Sequence, residues 1–370
     1  MPSRHEKTMA IPDICRKGNM NMSLRAISGG LLLGFLCLSC ASGDAGRDGS
    51  VLPEAQVKRE KKVGLALGVS GLGDQSFNDM QYSGLVQSYE RMPIQAAFRV
   101  PASNEEKDLV TLFETLITKD QCNLVIVAEA YAMGEVVKKF AEKHPDVMFV
   151  LMESAAVDRP NIAATEFAQN EGSFLAGMLA ARVSKAKRFG FIGGVDLLPV
   201  KDFLTGYQAG IRMVRPDAIV DTVWVSLVPD FSGFNNPARG HDLALELYGQ
   251  GAEVVYAVAG GTGNGIIQAA KEKNRLVLGV DSNQDHLAPG YVLTSMMKRA
   301  DVAVTNIIGR YLAGTLVGRR VYRFDLKNHG VSLTDFEYTE DRVSAEMRRE
   351  LDEASKKIAD GRLAVPTVLR

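Results

Sequence analysis

The stretch VGLALGVSGLGDQSFND, residues 63–79, joins an apolar run to a glycine-rich turn and then to a polar helix start. Residues 63–67 show no polar alternation, as a strand covered on both faces requires. Gly68, Gly71 and Gly73 let the backbone turn tightly, and Asp74 or Ser76 can cap the helix after it. That helix is expected over 81–91, with Tyr82, Leu85, Val86 and Tyr89 on one face. Phe77 stands out as an aromatic residue in a polar turn.

The same rhythm continues outward from this unit. Apolar strands are expected at 96–100, 124–127, 147–151 and 162–165, then at 188–192, 219–227, 254–258 and 277–280. Helical patterns separate them, at 105–118, 133–142, 172–183, 203–214, 238–248 and 266–273. Two such runs predict an α/β protein with two doubly wound parallel-sheet lobes. Ligands bind such sheets outside the carboxyl ends of the strands, so the loops after strands carry the functional reading. The rhythm changes after Val280: an apolar run at 292–296, a helix at 302–312 and an amphipathic helix at about 341–360. The division expected is 60–185 plus 284–318 for the first lobe and 186–283 plus 319–370 for the second. Trp224 falls in a strand and is expected in the core.

The N-terminus reads differently. Residues 26–38 are thirteen apolar or small residues, short of the ~20 that span a bilayer and suited to a signal peptide. The run ends Leu36-Cys37-Leu38-Ser39-Cys40, with small residues on both sides of Cys40. This resembles a bacterial lipobox. Residues 1–39 are therefore expected to be removed, Cys40 to carry lipid, and 40–59 to act as a tether. Two or more acyl chains anchor a protein without a spanning helix, which places it on a bacterial membrane facing the periplasm. Of four cysteines only Cys122 then remains in the folded body. It can form no internal disulfide, and there is no CxxC metal pattern.

The chain has 43 basic and 44 acidic residues; without the five basic and two acidic residues of 1–39, 38 and 42 remain. That acidic surplus argues against a broad nucleic-acid surface. There is no HExxH, GxSxG or Walker A pattern, and the five histidines are scattered. The segment Ala259-Gly-Gly-Thr-Gly-Asn-Gly265 follows a strand, opens a helix and has Asp281 twenty residues after Gly261. As a dinucleotide fingerprint it breaks at Ile266. A helix start survives, around Gly261, whose N–H groups can hold ligand oxygens. No enzyme, cofactor or metal is expected.

Gly73-Asp-Gln-Ser-Phe-Asn78 resembles the D-K-S-F-N signature of the basic membrane protein (Bmp) family of bacterial surface lipoproteins. Phe167-Ala-Gln-Asn-Glu-Gly-Ser-Phe-Leu-Ala-Gly177 is similar to that family's Q-N-E-G-S-F-L-x-G helix start. Ala259–Gly265, Gly279-Val-Asp281 and Leu293-Thr-Ser-Met-Met-Lys-Arg299 resemble its later signatures, in order, from about residue 62 to 320. The resemblance implies a type I periplasmic-binding-protein fold, with three hinge crossings and a ligand cleft between the lobes. It also implies a monomer that serves an ABC permease and ATPase.

Relatives that bind purine nucleosides stack the base between two Phe, matched here by Phe77 and Phe231, with Phe234 as the alternative to Phe231. The ribose clamp matches Asp281 and Lys298. Further polar contacts are expected from Asn78, Gly261 and Tyr131. Two positions depart from the pattern. Such relatives read the purine edge with an Asp nine residues before the loop Phe, and that position is Gly68 here. Glu129-Ala-Tyr131 stands where relatives show G-S-F. A pocket widened at Gly68 with its polyol clamp kept would fit a larger ring with a ribityl tail, as in the riboflavin-binding branch of this fold. Riboflavin is the expected ligand, a purine nucleoside the alternative, and a non-transport surface adhesin a more distant one.

Overall fold

A computed structural model of the chain describes residues 61–369; the expected signal peptide, Cys40 and the tether lie outside the described residues. The chain begins with β1 (Lys61–Ala66), α1 (Phe77–Arg91), β2 (Ile94–Arg99), α2 (Glu106–Glu114), β3 (Leu124–Val127), α3 (Ala130–Lys143), β4 (Met148–Leu151) and β5 (Ile162–Phe167). Next come α4 (Gln169–Val183), β6 (Arg188–Val195), α5 (Leu198–Val214), β7 (Ile219–Ser226), α6 (Pro237–Gly249), β8 (Ala252–Val258), α7 (Gly263–Lys273), β9 (Leu276–Asp281) and β10 (Val292–Lys298). It ends with α8 (Ala300–Leu312), β11 (Val321–Phe324), β12 (Val331–Leu333) and α9 (Ala345–Ala359).

The strands form two six-stranded sheets, in the orders β11-β5-β4-β3-β1-β2 and β12-β10-β9-β8-β6-β7. Every pairing is parallel except β10 with β12. Each sheet repeats one doubly wound order, in which the second strand lies outside the first and the third lies on the first strand's other side. The order therefore reverses between β1 and β3 and between β6 and β8, and such switch points open a crevice at the strands' carboxyl ends. All four residues of β3 (LVIV) are buried. Full burial contributes roughly 1.5–3 kcal/mol for each large aliphatic side chain.

Within the described residues the chain passes between the lobes three times, at Ala168, at Arg299 and between β11 and β12. These crossings correct the expected lobe boundaries. Helix α4 packs on α5, α9, β10 and β12, in the second lobe rather than the first. Strand β10 belongs to the second sheet and β11 to the first, the reverse of the expected division. The physical reason is that strands buried on both faces look alike in sequence, so nothing local says which sheet they join. Trp224 is half-buried and lies edge-on to Phe191, with ring centroids 6.0 Å apart, on the flank of the second core. Cys122 is buried and free. Helix α9 starts later than expected, after Ser344, whose hydroxyl accepts from the Met347 N–H.

Candidate functional site

The turn after β1 is built by Asp74. Its carboxylate accepts the backbone N–H groups of Ser76, Asn78 and Asp79 at 2.9, 2.9 and 3.2 Å. Asp74 thus satisfies the first turn of α1, which begins at Phe77 rather than at 81. Ser76, at the cap position, is released from capping. Its hydroxyl donates instead to Asp281 Oδ2 at 2.5 Å, across the two lobes. Gln75 takes a left-handed conformation (φ 51°), and its carbonyl accepts from Ser282 Oγ (2.5 Å) and Gln284 Nε2 (3.0 Å) of the second lobe.

Between the lobes lies a cavity lined by Phe77, Asn78, Glu129, Tyr131 and Glu153 on one side. Phe203, Phe234, Asp281 and Lys298 line the other side. With its mouth included the space is about 600 Å3. The lobes are closed on it. Lys298 and Glu153, both nearly buried, form an ion pair across the gap. The Lys298 ammonium also lies 4.1 Å from the centre of the Phe77 ring and 5.3 Å from those of Phe167 and Phe203, an arrangement favoured by the rings' negative faces. Asp281 has a left-handed backbone (φ 65°), and its Oδ1 is buried without a partner among the described residues. An unpaired buried acceptor is costly, and here it belongs to a residue that lines the cavity. Burial raises the Asp281 carboxyl above its ordinary range, opposed by the Lys298 charge and the Ser76 hydrogen bond.

The structure gathers Phe77, Asn78, Tyr131, Asp281 and Lys298 around this one cavity. Gly261 lies just beyond the lining, against the Phe234 carbonyl and the Asp74 side chain, while its neighbour Gly260 lines the cavity. Phe231 does not line the cavity: its ring meets that of Tyr131 (centroids 5.2 Å apart), and it lines an adjoining space of about 850 Å3, mouth included. Phe234 lines both spaces. Asp230 explains the difference, since its carboxylate accepts from the Ser232 N–H and starts the short turn Phe231–Phe234. That turn carries Phe234 onto Gly194, where an added Cβ would lie 2.5 Å from the ring.

Gly68 does not widen the cavity. A Cβ there would lie 1.7 Å from Glu129 Oε1 and 1.9 Å from its Cδ, so the Glu129 carboxyl fills the gap. Strand register explains the meeting. Ala66 pairs with Val127, and Val127 with Leu151. Gly68, Glu129 and Glu153 each stand two residues beyond these neighbours, side by side at the sheet's end. The roles of Glu129 and Glu153 were missed in the sequence. The available signal was a carboxylate two residues past an apolar parallel strand.

Burial pushes the Glu129 carboxyl up to about 7, assisted by the Asp74 charge and opposed by hydrogen bonds with Asn78 and Tyr131. A carboxyl raised in the fold holds its proton where the unfolded chain has lost it. Its stabilising contribution is full below the ordinary value of 4.5 and is lost as pH rises through about 7. Glu129→Gln is therefore expected to melt at a higher temperature than the parent protein above pH 7 and at the same temperature near pH 4.5. Melting curves across that range check the sign.

Among the described residues, no group of three His, Cys, Asp or Glu could hold a metal ion. A family model described as "ABC transporter substrate-binding protein PnrA-like" (Bmp) matches residues 61–367. The chain is 29% identical over 347 residues to the ABC transporter nucleoside-binding protein BmpA of Lactococcus lactis, covering 88% of this chain and 92% of that protein. It is 30% identical to an uncharacterized lipoprotein of Pyrococcus horikoshii, covering 83% of this chain and 76% of that one. Among solved structures, ABC transporter solute-binding proteins from Aeropyrum pernix superpose with a TM-score of 0.73 at 23% identity, over 83% of this chain and 94% of theirs. The fold is that of the type I periplasmic binding proteins.

Proposed function

From the premise that this chain belongs to the Bmp family of PnrA-like substrate-binding proteins of ABC transporters, we propose that its ligand is a purine nucleoside. The protein captures it by lobe closure and delivers it to an ABC permease and ATPase. Binding proteins of this family catalyse no reaction; closure and release are the work. Cys40 lipidation would hold the body at the membrane.

The observation that carries the ligand class is the Glu129 carboxyl in the Gly68 gap. The expectation of riboflavin rested on space and on a lost carboxylate. The space is filled and a carboxylate stands in it, borne by the neighbouring strand's loop. The relative from Lactococcus lactis, named as nucleoside-binding, points the same way. The rest of the site suits the class. Phe77 and Phe234 offer aromatic faces to a flat ring. Asp281 Oδ1 and the Lys298–Glu153 pair offer charged partners to sugar hydroxyls, whose hydrogen bonds to charged groups contribute about 1.5–3 kcal/mol each.

Riboflavin remains a second reading because of one feature, the space of about 850 Å3, mouth included, beyond Glu129 and Phe234. A longer ring extends into it only by breaking the hydrogen bonds of Glu129 with Asn78 and Tyr131. The visible spectrum and mass spectrum of whatever co-purifies with the soluble body decide between the two. A colourless protein carrying a nucleoside supports the proposal; a yellow protein absorbing near 450 nm, as flavins do, overturns it.

Phe77→Ala is expected to weaken ligand binding roughly thirtyfold or more, from lost stacking and lost apolar burial together. Melting should change little, because Phe77 is only partly buried at the cavity wall. Unchanged affinity would place the ring elsewhere.

A further inference from the structure

Among the described residues, Glu129 is the one carboxyl that both lines the cavity and borders, beside Phe234, the wall of the adjoining compartment nearest Ser70. It is 6% exposed. Its hydrogen-bond partners, the Asn78 amide and the Tyr131 hydroxyl, are neutral. The Asn78 amide is itself fixed: Nδ2 donates to Asp74 Oδ2 (3.1 Å) and Oδ1 accepts the Gly68 N–H (3.1 Å). Glu129 is therefore held in one place in the wall of the cavity that Phe77 and Phe234 also line.

We propose that the Glu129 carboxyl selects among purine nucleosides by its protonation state. Ionised, it accepts from the ring N–H of a 6-oxopurine. Protonated, it donates to the bare ring nitrogen of a 6-aminopurine. The same cavity then takes one class of base or the other according to pH. This inference rests on the nucleoside reading above and names the group that sets specificity within it.

The electrostatic surroundings allow both states near neutrality. Asp74, on the turn before α1, adds negative charge beside Glu129 and favours its protonated form. Tyr131 and Asn78 hydrogen bond to it and favour the ionised form. The cavity's other charged groups are Glu153 after β4, Asp281 at the end of β9 and Lys298 at the end of β10. The Lys298 charge is engaged by Glu153 and lies near Asp281. Burial without a cationic partner is what brings the carboxyl to about 7.

The test is calorimetric titration of the ligand-free body with inosine and with adenosine at pH 6 and pH 8, for the parent protein and for Glu129→Gln. For the parent, inosine should bind roughly tenfold more weakly at pH 6 than at pH 8, following the ionised fraction of a group titrating near 7. Adenosine should move in the opposite direction. In Glu129→Gln the amide can rotate to donate or accept, and neither ligand should respond to pH. Parallel trends for the two nucleosides in the parent, or a parent-like pH response in Glu129→Gln, would overturn the inference while leaving the nucleoside reading intact. Binding of neither nucleoside at either pH would overturn both.

Discussion

Asp281→Ala is expected to weaken nucleoside binding by about 10- to 150-fold, the equivalent of one or more charge-assisted hydrogen bonds at about 1.5–3 kcal/mol. Two losses combine. The ligand loses the acceptor Oδ1, which has no partner among the described residues. The closed state loses the Ser76–Asp281 bond between the lobes. The fold itself should survive, since the carboxyl is held above its ordinary range by burial and its removal relieves desolvation. A small fall in melting temperature is expected because alanine tolerates the left-handed backbone at 281 poorly. Asp281→Asn, which accepts that conformation, serves as the control and should melt like the parent. Titration of both variants checks the result, and parent-like affinity in Asp281→Ala would remove the residue from the site.

Lys298→Met is expected to have a different signature. It leaves Glu153 nearly buried with no counter-charge, and breaking a buried pair by removing one partner costs roughly 3–5 kcal/mol. Here the protein has an escape that a core ion pair lacks. Glu153 belongs to the first lobe and Lys298 to the second, so opening the cleft returns the carboxylate to water. The cost should fall mainly on closure rather than on folding. The expectation is a loss in affinity of about 100-fold or more, a modest change in melting, and a solution scattering profile that stays expanded when ligand is added. A variant that compacts on ligand addition with parent-like affinity would show that the pair is dispensable for closure.

The doubly wound class was legible, because the two runs of strand, turn and helix each carry their own apolar strands; β11, β12 and the sheet that β10 joins were not. Phe77 and Asp281 also stood out, in the loop after a strand and at the end of one, while Lys298 was implied only by the family resemblance. Three-dimensional register did not. Helix α4 is buried along most of its length, which the sequence shows as small and apolar residues. Whether it covers the sheet before it or the one after it depends on where the chain crosses, and Ala168 carries no mark of that. The meeting of Gly68 with Glu129 was hidden for the same reason. A missing side chain on one strand's loop can be replaced from the loop of its neighbour, and only the pairing of Ala66 with Val127 brings the two together. Phe231 and Phe234 differ by one short turn, whose winding decides which ring faces the cavity.

The most direct test of the central claim is a calorimetric titration of the ligand-free body with inosine and with riboflavin under one set of conditions near pH 8. Saturable, one-to-one heat with inosine and none with riboflavin is the predicted result. Heat with riboflavin alone, or with neither, would contradict it.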